Sequence, residues 1–266
     1  MYDHFNRKIN YLRVSVTDRC NLRCVYCMPP EGVKLMHHDD ILRFHEILEV
    51  IRVAVELGVN KIRLTGGEPL VRRGIIDLVK DISTIRGIED FSMTTNGILL
   101  DDFAVSLKEA GLQRVNISLD TLDAARYRQI TRIGDLKQVL KGIDAAIDAG
   151  LQPVKLNCVI QSSPEEPDAV AVKEFATARG LEARFIYQMD LEKGIFKPVI
   201  GGEGGHCARC NRLRLTSNGL IKPCLFSNNG YSVRELGARE AILQAVAHKP
   251  ASGSSSSTHR FYNIGG

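Results

Sequence analysis

Cys20, Cys24 and Cys27 fall within eight residues, in the run Asp18-Arg19-Cys20-Asn21-Leu22-Arg23-Cys24-Val25-Tyr26-Cys27-Met28-Pro29. Thiols this close can converge on one metal centre. Zinc usually takes a fourth protein ligand or a closing pair at longer spacing, whereas iron-sulfur clusters are held by thiolates whose spacing varies with cluster type. A [4Fe-4S] cluster held by three thiolates keeps one iron open to a substrate or cofactor. A small structural zinc knuckle is the plainer use of the same residues. A second trio follows late in the chain: Cys207, Cys210 and Cys224. His206 would make it a Cys3His zinc ribbon, but it adjoins Cys207, an awkward place from which to reach the same ion. Arg212 and Arg214 stand two apart, so in a strand they point to one side and can clamp phosphate oxygens; solvated surface arginines are the commoner use of such a pair. Cys158, alone in a strand, reads as a buried small hydrophobe.

The elements that must position these residues alternate along the chain. Strands are expected at Leu12 to Thr17, Lys61 to Thr65, Phe91 to Thr94, Arg114 to Leu119, Val154 to Ile160 and Glu182 to Ile186. Apolar residues at helical spacing mark helices between them, from Ile47 to Leu57 through to Glu165 to Arg179. Six strands alternating with helices predict a parallel α/β sheet, whose sites lie at the C-terminal strand ends. Lys155 and Arg63 are expected at such ends. Gly66-Gly67-Glu68-Pro69 follows the second strand, where paired glycines allow close backbone approach. After Met189 the alternation stops. Gly201 to Gly205 reads as a flexible connection and Ser252 to Ser257 as a low-complexity linker.

Composition sets the bounds. The 266 residues are 44% hydrophobic and 25% charged, enough for one large domain with a small appendage. A formal charge of +4, from 35 basic and 31 acidic residues, suits a phosphorylated small substrate and does not suggest nucleic acid. No stretch of membrane-spanning length appears. Seven cysteines, mostly in two groups, point to metal ligation in a reducing cytoplasm.

A Cys-x3-Cys-x2-Cys loop after a strand, with Tyr26 before the last cysteine, resembles the cluster loop of the radical S-adenosylmethionine (SAM) superfamily. That resemblance implies an incomplete (β/α)6 TIM-like barrel over 1–189, with 190–266 as a small C-terminal cluster-binding region. It implies that SAM is held by Gly66, Gly67, Glu68 and Ser118, and by the backbone of Tyr26 and Met189; a methionine after a strand is otherwise a core filler. Within the superfamily, Thr17-Asp18-Arg19-Cys20, Arg63-Leu64-Thr65-Gly66-Gly67-Glu68-Pro69-Leu70, Thr94-Thr95-Asn96-Gly97, Ser118-Leu119-Asp120-Thr121-Leu122, Val154-Lys155-Leu156-Asn157, Cys210-Asn211-Arg212-Leu213-Arg214 and the final Gly265-Gly266 resemble the GTP 3',8-cyclases of molybdenum cofactor biosynthesis.

The cyclase resemblance implies two [4Fe-4S] clusters, one on each cysteine trio, with GTP met by Arg13, Arg63, Thr94, Lys155, Arg212 and Arg214. It implies SAM cleavage to a 5'-deoxyadenosyl radical, hydrogen abstraction from ribose C3' and attack of C3' on guanine C8, a carbon-carbon lyase-class reaction. Arg212, Arg214, Gly265 and Gly266 are its expected catalytic residues, with the diglycine tail inserting toward the site. An external one-electron donor is needed, a homodimer is compatible, and neither nucleic acid nor membrane is a partner. Two departures stand out. Only seventeen residues separate Met189 from Cys207, where the family has several tens, and Tyr187 stands where the family usually has a glutamate. Another radical SAM enzyme with an auxiliary cluster, or a non-catalytic metal-binding homologue, are the competing readings.

Overall fold

The computed structural model describes residues 1–257 and Ile264. Seven strands run parallel: β1 (Tyr11–Ser15), β2 (Lys61–Thr65), β3 (Asp90–Thr95), β4 (Arg114–Ser118), β5 (Lys155–Ile160), β6 (Glu182–Tyr187) and β7 (Arg212–Leu215). Two short antiparallel strands follow, β8 (Leu220–Lys222) and β9 (Tyr231–Ser232). The sheet order is β6-β5-β4-β3-β2-β1-β7-β8-β9, an open curved sheet in place of a closed ring. The six expected strands and their helices are present; the sheet is nine-stranded because the C-terminal region adds three strands beside β1.

The connecting helices are α1 (Phe44–Glu56), α2 (Ile75–Ser83), α3 (Leu100–Glu109), α4 (Ala124–Thr131), α5 (Leu136–Asp148) and α6 (Pro167–Ala178), with α7 (Val233–Leu236) and α8 (Ala238–Ala247) after β9. Their apolar faces explain their seats: α1 buries Ile47, Leu48, Val50, Ile51 and Ala54, and α5, capped by the Asp135 carboxylate on Lys137 N–H, buries Leu136, Val139, Ile143 and Ala146.

Parallel strands buried on both faces read as continuous apolar runs. These do not. Leu12, Val14, Ile62 and Leu64 join the helix-facing core, while the intervening Tyr11, Arg13, Lys61 and Arg63 line a cavity. Strand alternation therefore makes one face of the sheet a polar wall.

Two segments expected to be flexible are tied down. Ile200 exchanges both backbone hydrogen bonds with Phe185 of β6, at 2.9 and 3.0 Å, and Val199 N–H donates to Gly204 O at 2.8 Å. Gly205, at φ +80, lies so near this strap that a Cβ would stand 2.5 Å from Lys197 O. The serine stretch is likewise docked: Ser254 N–H donates to Phe226 O, Ser256 N–H to Leu191 O and Ser257 N–H to the Asn228 amide oxygen. Serine composition permits flexibility, but here the backbone amides have fixed partners. Among the described residues no helix is long and apolar enough to cross a membrane.

Candidate active site

The first trio follows β1 and sits at the C-terminal end of the parallel strands. Cys27 and Met28 N–H both donate to Cys24 O, at 2.9 and 3.1 Å, folding the loop into a tight turn that turns all three thiols to the cavity. Burial, then the neighbouring Cys27, Asp120 and Cys20, pushes the Cys24 thiol up; burial and Cys20 push Cys27 up to about 12. Three half-buried thiols crowded together cannot all ionise without a cation among them, and three thiolates around metal are the donor chemistry of an iron-sulfur cluster. Among the described residues no group of three or more His, Cys, Asp and Glu closes tightly enough to hold a metal ion; the three thiols line one cavity.

The loop after β2 is built against this turn. Gly67 N–H donates to Thr17 O and Glu68 N–H to Arg19 O, each at 2.8 Å. A Cβ on Gly67 would lie 2.2 Å from Arg19 O, so only glycine permits the approach. Glu68, 1% exposed, accepts from Thr95 Oγ1 and Asn96 N–H at 2.7 Å and from Leu70 N–H at 3.1 Å. Burial raises its pKa to about 7, against the lowering pull of those donors. Asn96 continues the chain of contacts, donating to Asn21 Oδ1 at 2.7 Å and facing Cys20 Sγ at 3.9 Å. Tyr26 donates its hydroxyl to Asp120 at 2.7 Å, and Asp120 also accepts from Val159 N–H. Ser118 and Met189 complete this end of the cavity. Sequence reasoning missed Asn96 and Asp120 as supports, although both lie in motifs it quoted.

The second trio arrives at the opposite end. Cys210 precedes β7, and β7 runs parallel to β1 with Tyr11 opposite Arg212 and Arg13 opposite Arg214. β8 returns antiparallel, Lys222 opposite Arg214, and delivers Cys224 to the same N-terminal strand end. The second trio therefore lies at the N-terminal strand ends and not at the C-terminal mouth. A five-residue parallel strand separates the two ends by about 16 Å, and one cavity of about 590 Å3 reaches from Cys20, Cys24 and Cys27 to Cys207, Cys210 and Cys224. Cys210 is pushed up by burial, but Lys249 and Arg212 outweigh that and bring it down to about 7.

Between the trios runs a cationic wall. In register, Tyr11 and Arg13 of β1 are flanked by Lys61 and Arg63 of β2 and by Arg212 and Arg214 of β7; all six line the cavity, with Arg114, Arg184 and Thr94. Arg212 and Arg214 do point to one side. The Thr94 hydroxyl, Tyr11 hydroxyl and Arg184 Nε are buried without a hydrogen-bond partner among the described residues, as polar atoms awaiting an anionic ligand would be. Lys155 differs from the expectation. It opens β5 instead of ending it, its ammonium pairs with Glu182 at 2.5 Å, and it is not among the cavity-lining residues. Arg63 is mid-strand. Lys61, Arg114 and Arg184 escaped sequence reasoning, although the polar-apolar-polar order Lys61-Ile62-Arg63 carries the signal. Gly265 and Gly266 lie outside the described residues, but Ile264 is fully buried with Leu191, Leu225 and Phe226, and the last two line the cavity.

Known proteins resemble this chain in sequence and in fold. The sequence model of the radical SAM superfamily matches residues 14–172. The GTP 3',8-cyclase of Pelotomaculum thermopropionicum is 44% identical over 307 aligned positions, covering 94% of each chain; that of Moorella thermoacetica is 43% identical with the same coverage. An alignment of 307 positions exceeds the 266 residues here, so the relative carries residues without counterpart. Among solved structures, native anSMEcpe with bound AdoMet matches at TM-score 0.61 and 13% identity, covering 91% of this chain and 81% of that one. Streptococcus suis SuiB matches at 0.60 and 15%, covering 93% and 68%. At such identities these two speak for the fold alone. The open sheet, the first cysteine turn with its glycine loop, and cyclase relatives aligned over nearly the whole length place this chain in the GTP 3',8-cyclase family of the radical SAM superfamily.

Proposed function

We infer that the chain is a GTP 3',8-cyclase, converting GTP to 3',8-cyclo-7,8-dihydroguanosine 5'-triphosphate in molybdenum cofactor biosynthesis. The observation that carries this is the single cavity with a thiol trio at each end and arginines along the wall between them. When bound, the N-terminal cluster and SAM supply a 5'-deoxyadenosyl radical by one-electron cleavage. The protein's own residues do the positioning. Cys20, Cys24 and Cys27 hold the first [4Fe-4S] cluster. Gly66, Gly67, Glu68 and Ser118 hold SAM, with the Tyr26 and Met189 backbone bordering the adenine. Cys207, Cys210 and Cys224 would hold a second [4Fe-4S] cluster, which would anchor the purine end of GTP.

Arg13, Arg63, Arg212 and Arg214 lie along the path of the nucleotide, and guanidinium donors give phosphate oxygens charge-assisted hydrogen bonds. Thr94 adds a hydroxyl, and Lys155 would reach the ligand only by leaving Glu182. The strap from Asp190 to His206 covers the flank beside β6, through the Phe185 to Ile200 pairing and the Arg212 guanidinium on Glu203 O at 2.9 Å. It is our reading of how the short connection closes the cavity. The natural setting is a reducing cytoplasm with an external one-electron donor.

Anaerobic incubation with SAM, a reductant and GTP should yield a chromatographically distinct isomer of GTP, while a peptide substrate should remain unmodified. A modified peptide with unchanged GTP would replace this reading by that of a peptide-modifying relative. The buried Ile264 supports a catalytic role for Gly265 and Gly266. Deleting both should lower GTP-dependent 5'-deoxyadenosine formation at least tenfold while iron content stays constant, a loss of about 1.4 kcal/mol in transition-state stabilisation. An unchanged rate would remove the tail from the mechanism.

A further inference from the structure

Two buried cations behind the second trio take no part in the reading above. Arg7 donates Nε to Asp3 at 2.6 Å, Nη1 to Cys207 O at 2.8 Å and Ala251 O at 3.0 Å, and Nη2 to Pro250 O at 2.7 Å. Both members of the Asp3–Arg7 pair are buried. Lys249, 3% exposed, donates Nζ to Arg212 O at 2.7 Å and Pro223 O at 2.6 Å. Arg212 lies two residues after Cys210, and Pro223 immediately precedes Cys224.

The consequence is topological. The registered pairing of β7 with β8 reaches only to Arg214 and Lys222, short of both cysteines. Lys249 spans the two strand ends beyond that point, and Arg7 ties the neighbouring Pro250 and Ala251 to the Cys207 segment. Three consecutive residues, Lys249 to Ala251, thus connect all three thiol-bearing segments. A buried ammonium and a buried guanidinium are expensive where an apolar side chain would pack. Here they stand beside thiols that become thiolates on ligation, with the Lys249 ammonium facing Cys210.

We propose that Lys249 and the Asp3–Arg7 pair are positioning residues for the C-terminal metal centre, stapling the Cys207, Cys210 and Cys224 segments into one ligand set and setting positive charge beside it. This rests on the reading that the second trio holds an iron-sulfur cluster. The N-terminal centre does not depend on the staple.

The test uses the full chain, reconstituted anaerobically, with iron and sulfide counts, the spectrum of each reduced centre and its midpoint potential. The unaltered protein should bind about eight irons, four per cluster; about four would overturn the two-cluster reading itself, whatever the variants do. Lys249→Met should lose about four irons while the N-terminal signal stays unchanged. Lys249→Gln keeps amide donors but no charge, so its second cluster should be retained with a more negative midpoint potential, since a cation favours the more reduced, more negative state. Lys249→Arg should restore both occupancy and potential. Eight irons with an unshifted potential in both the Met and Gln variants would overturn the staple, and so would iron loss shared equally by the two centres.

Discussion

Cys24→Ala protein, reconstituted anaerobically, should form no 5'-deoxyadenosine from SAM above the uncatalysed background. The change is selective because Cys24 serves the loop through its backbone: its carbonyl accepts both Cys27 N–H and Met28 N–H, and alanine keeps that carbonyl. Tyr26 remains tied to Asp120 and Gly67 to Thr17. Loss of activity therefore reports the missing thiolate and not a collapsed loop. Two thiolates cannot hold the cluster as three do, and without it no electron reaches the sulfonium. The proposed second cluster should stay at full occupancy, since the Cys207, Cys210 and Cys224 thiols lie at the other end of the cavity. An unaltered rate of SAM cleavage would remove Cys24 from the ligand set.

Arg214→Met should lower kcat/KM for GTP by roughly ten- to a hundredfold, the loss expected when hydrogen bonds to a charged group, worth about 1.5–3 kcal/mol, are removed. Arg214 is 8% exposed; burial and then the neighbouring Arg212 hold its guanidinium down to about 10. Arg13, its partner in register, is also held down, by burial and then by Arg214 itself. Methionine, of similar length, keeps much of the packing, so the loss reports the missing guanidinium. A variant with unchanged kcat/KM would show that the cationic wall does not meet the substrate.

Much of this was legible in the sequence, for stated physical reasons. Helices such as α5 carry a full apolar face and end at glycine, and Lys61 to Thr65 is bracketed by turn residues, so the βα alternation is a local signal. The first cysteine loop and Gly66-Gly67-Glu68 are local as well. The position of the second trio is not. It depends on β7 pairing with β1 across two hundred residues, and a four-residue strand such as Arg212-Leu213-Arg214-Leu215 has no periodicity long enough to announce its direction. Parallel pairing puts Cys210 at the N-terminal strand end; antiparallel pairing would have put it at the mouth. Lys155 failed for a plainer reason: it is the second residue of the expected strand Val154 to Ile160 and the first of β5, at the N-terminal end in either case. The serine stretch misled because composition describes side chains, whereas Ser254 and Ser256 are held by their backbone amides. Lys249 and Arg7 escaped notice because, Asp3 apart, the partners named here are backbone carbonyls, which no sequence pattern marks.

In the proposed reaction a radical made from SAM at one end of the cavity reaches the ribose of a GTP anchored at the other. The most direct measurement uses GTP deuterated at C3', with SAM and reductant under anaerobic conditions, and reads the mass of the 5'-deoxyadenosine formed. One deuterium should appear in the 5'-deoxyadenosine, in step with the cyclised product. Undeuterated 5'-deoxyadenosine, formed at the same rate whether or not GTP is present, would contradict that reaction.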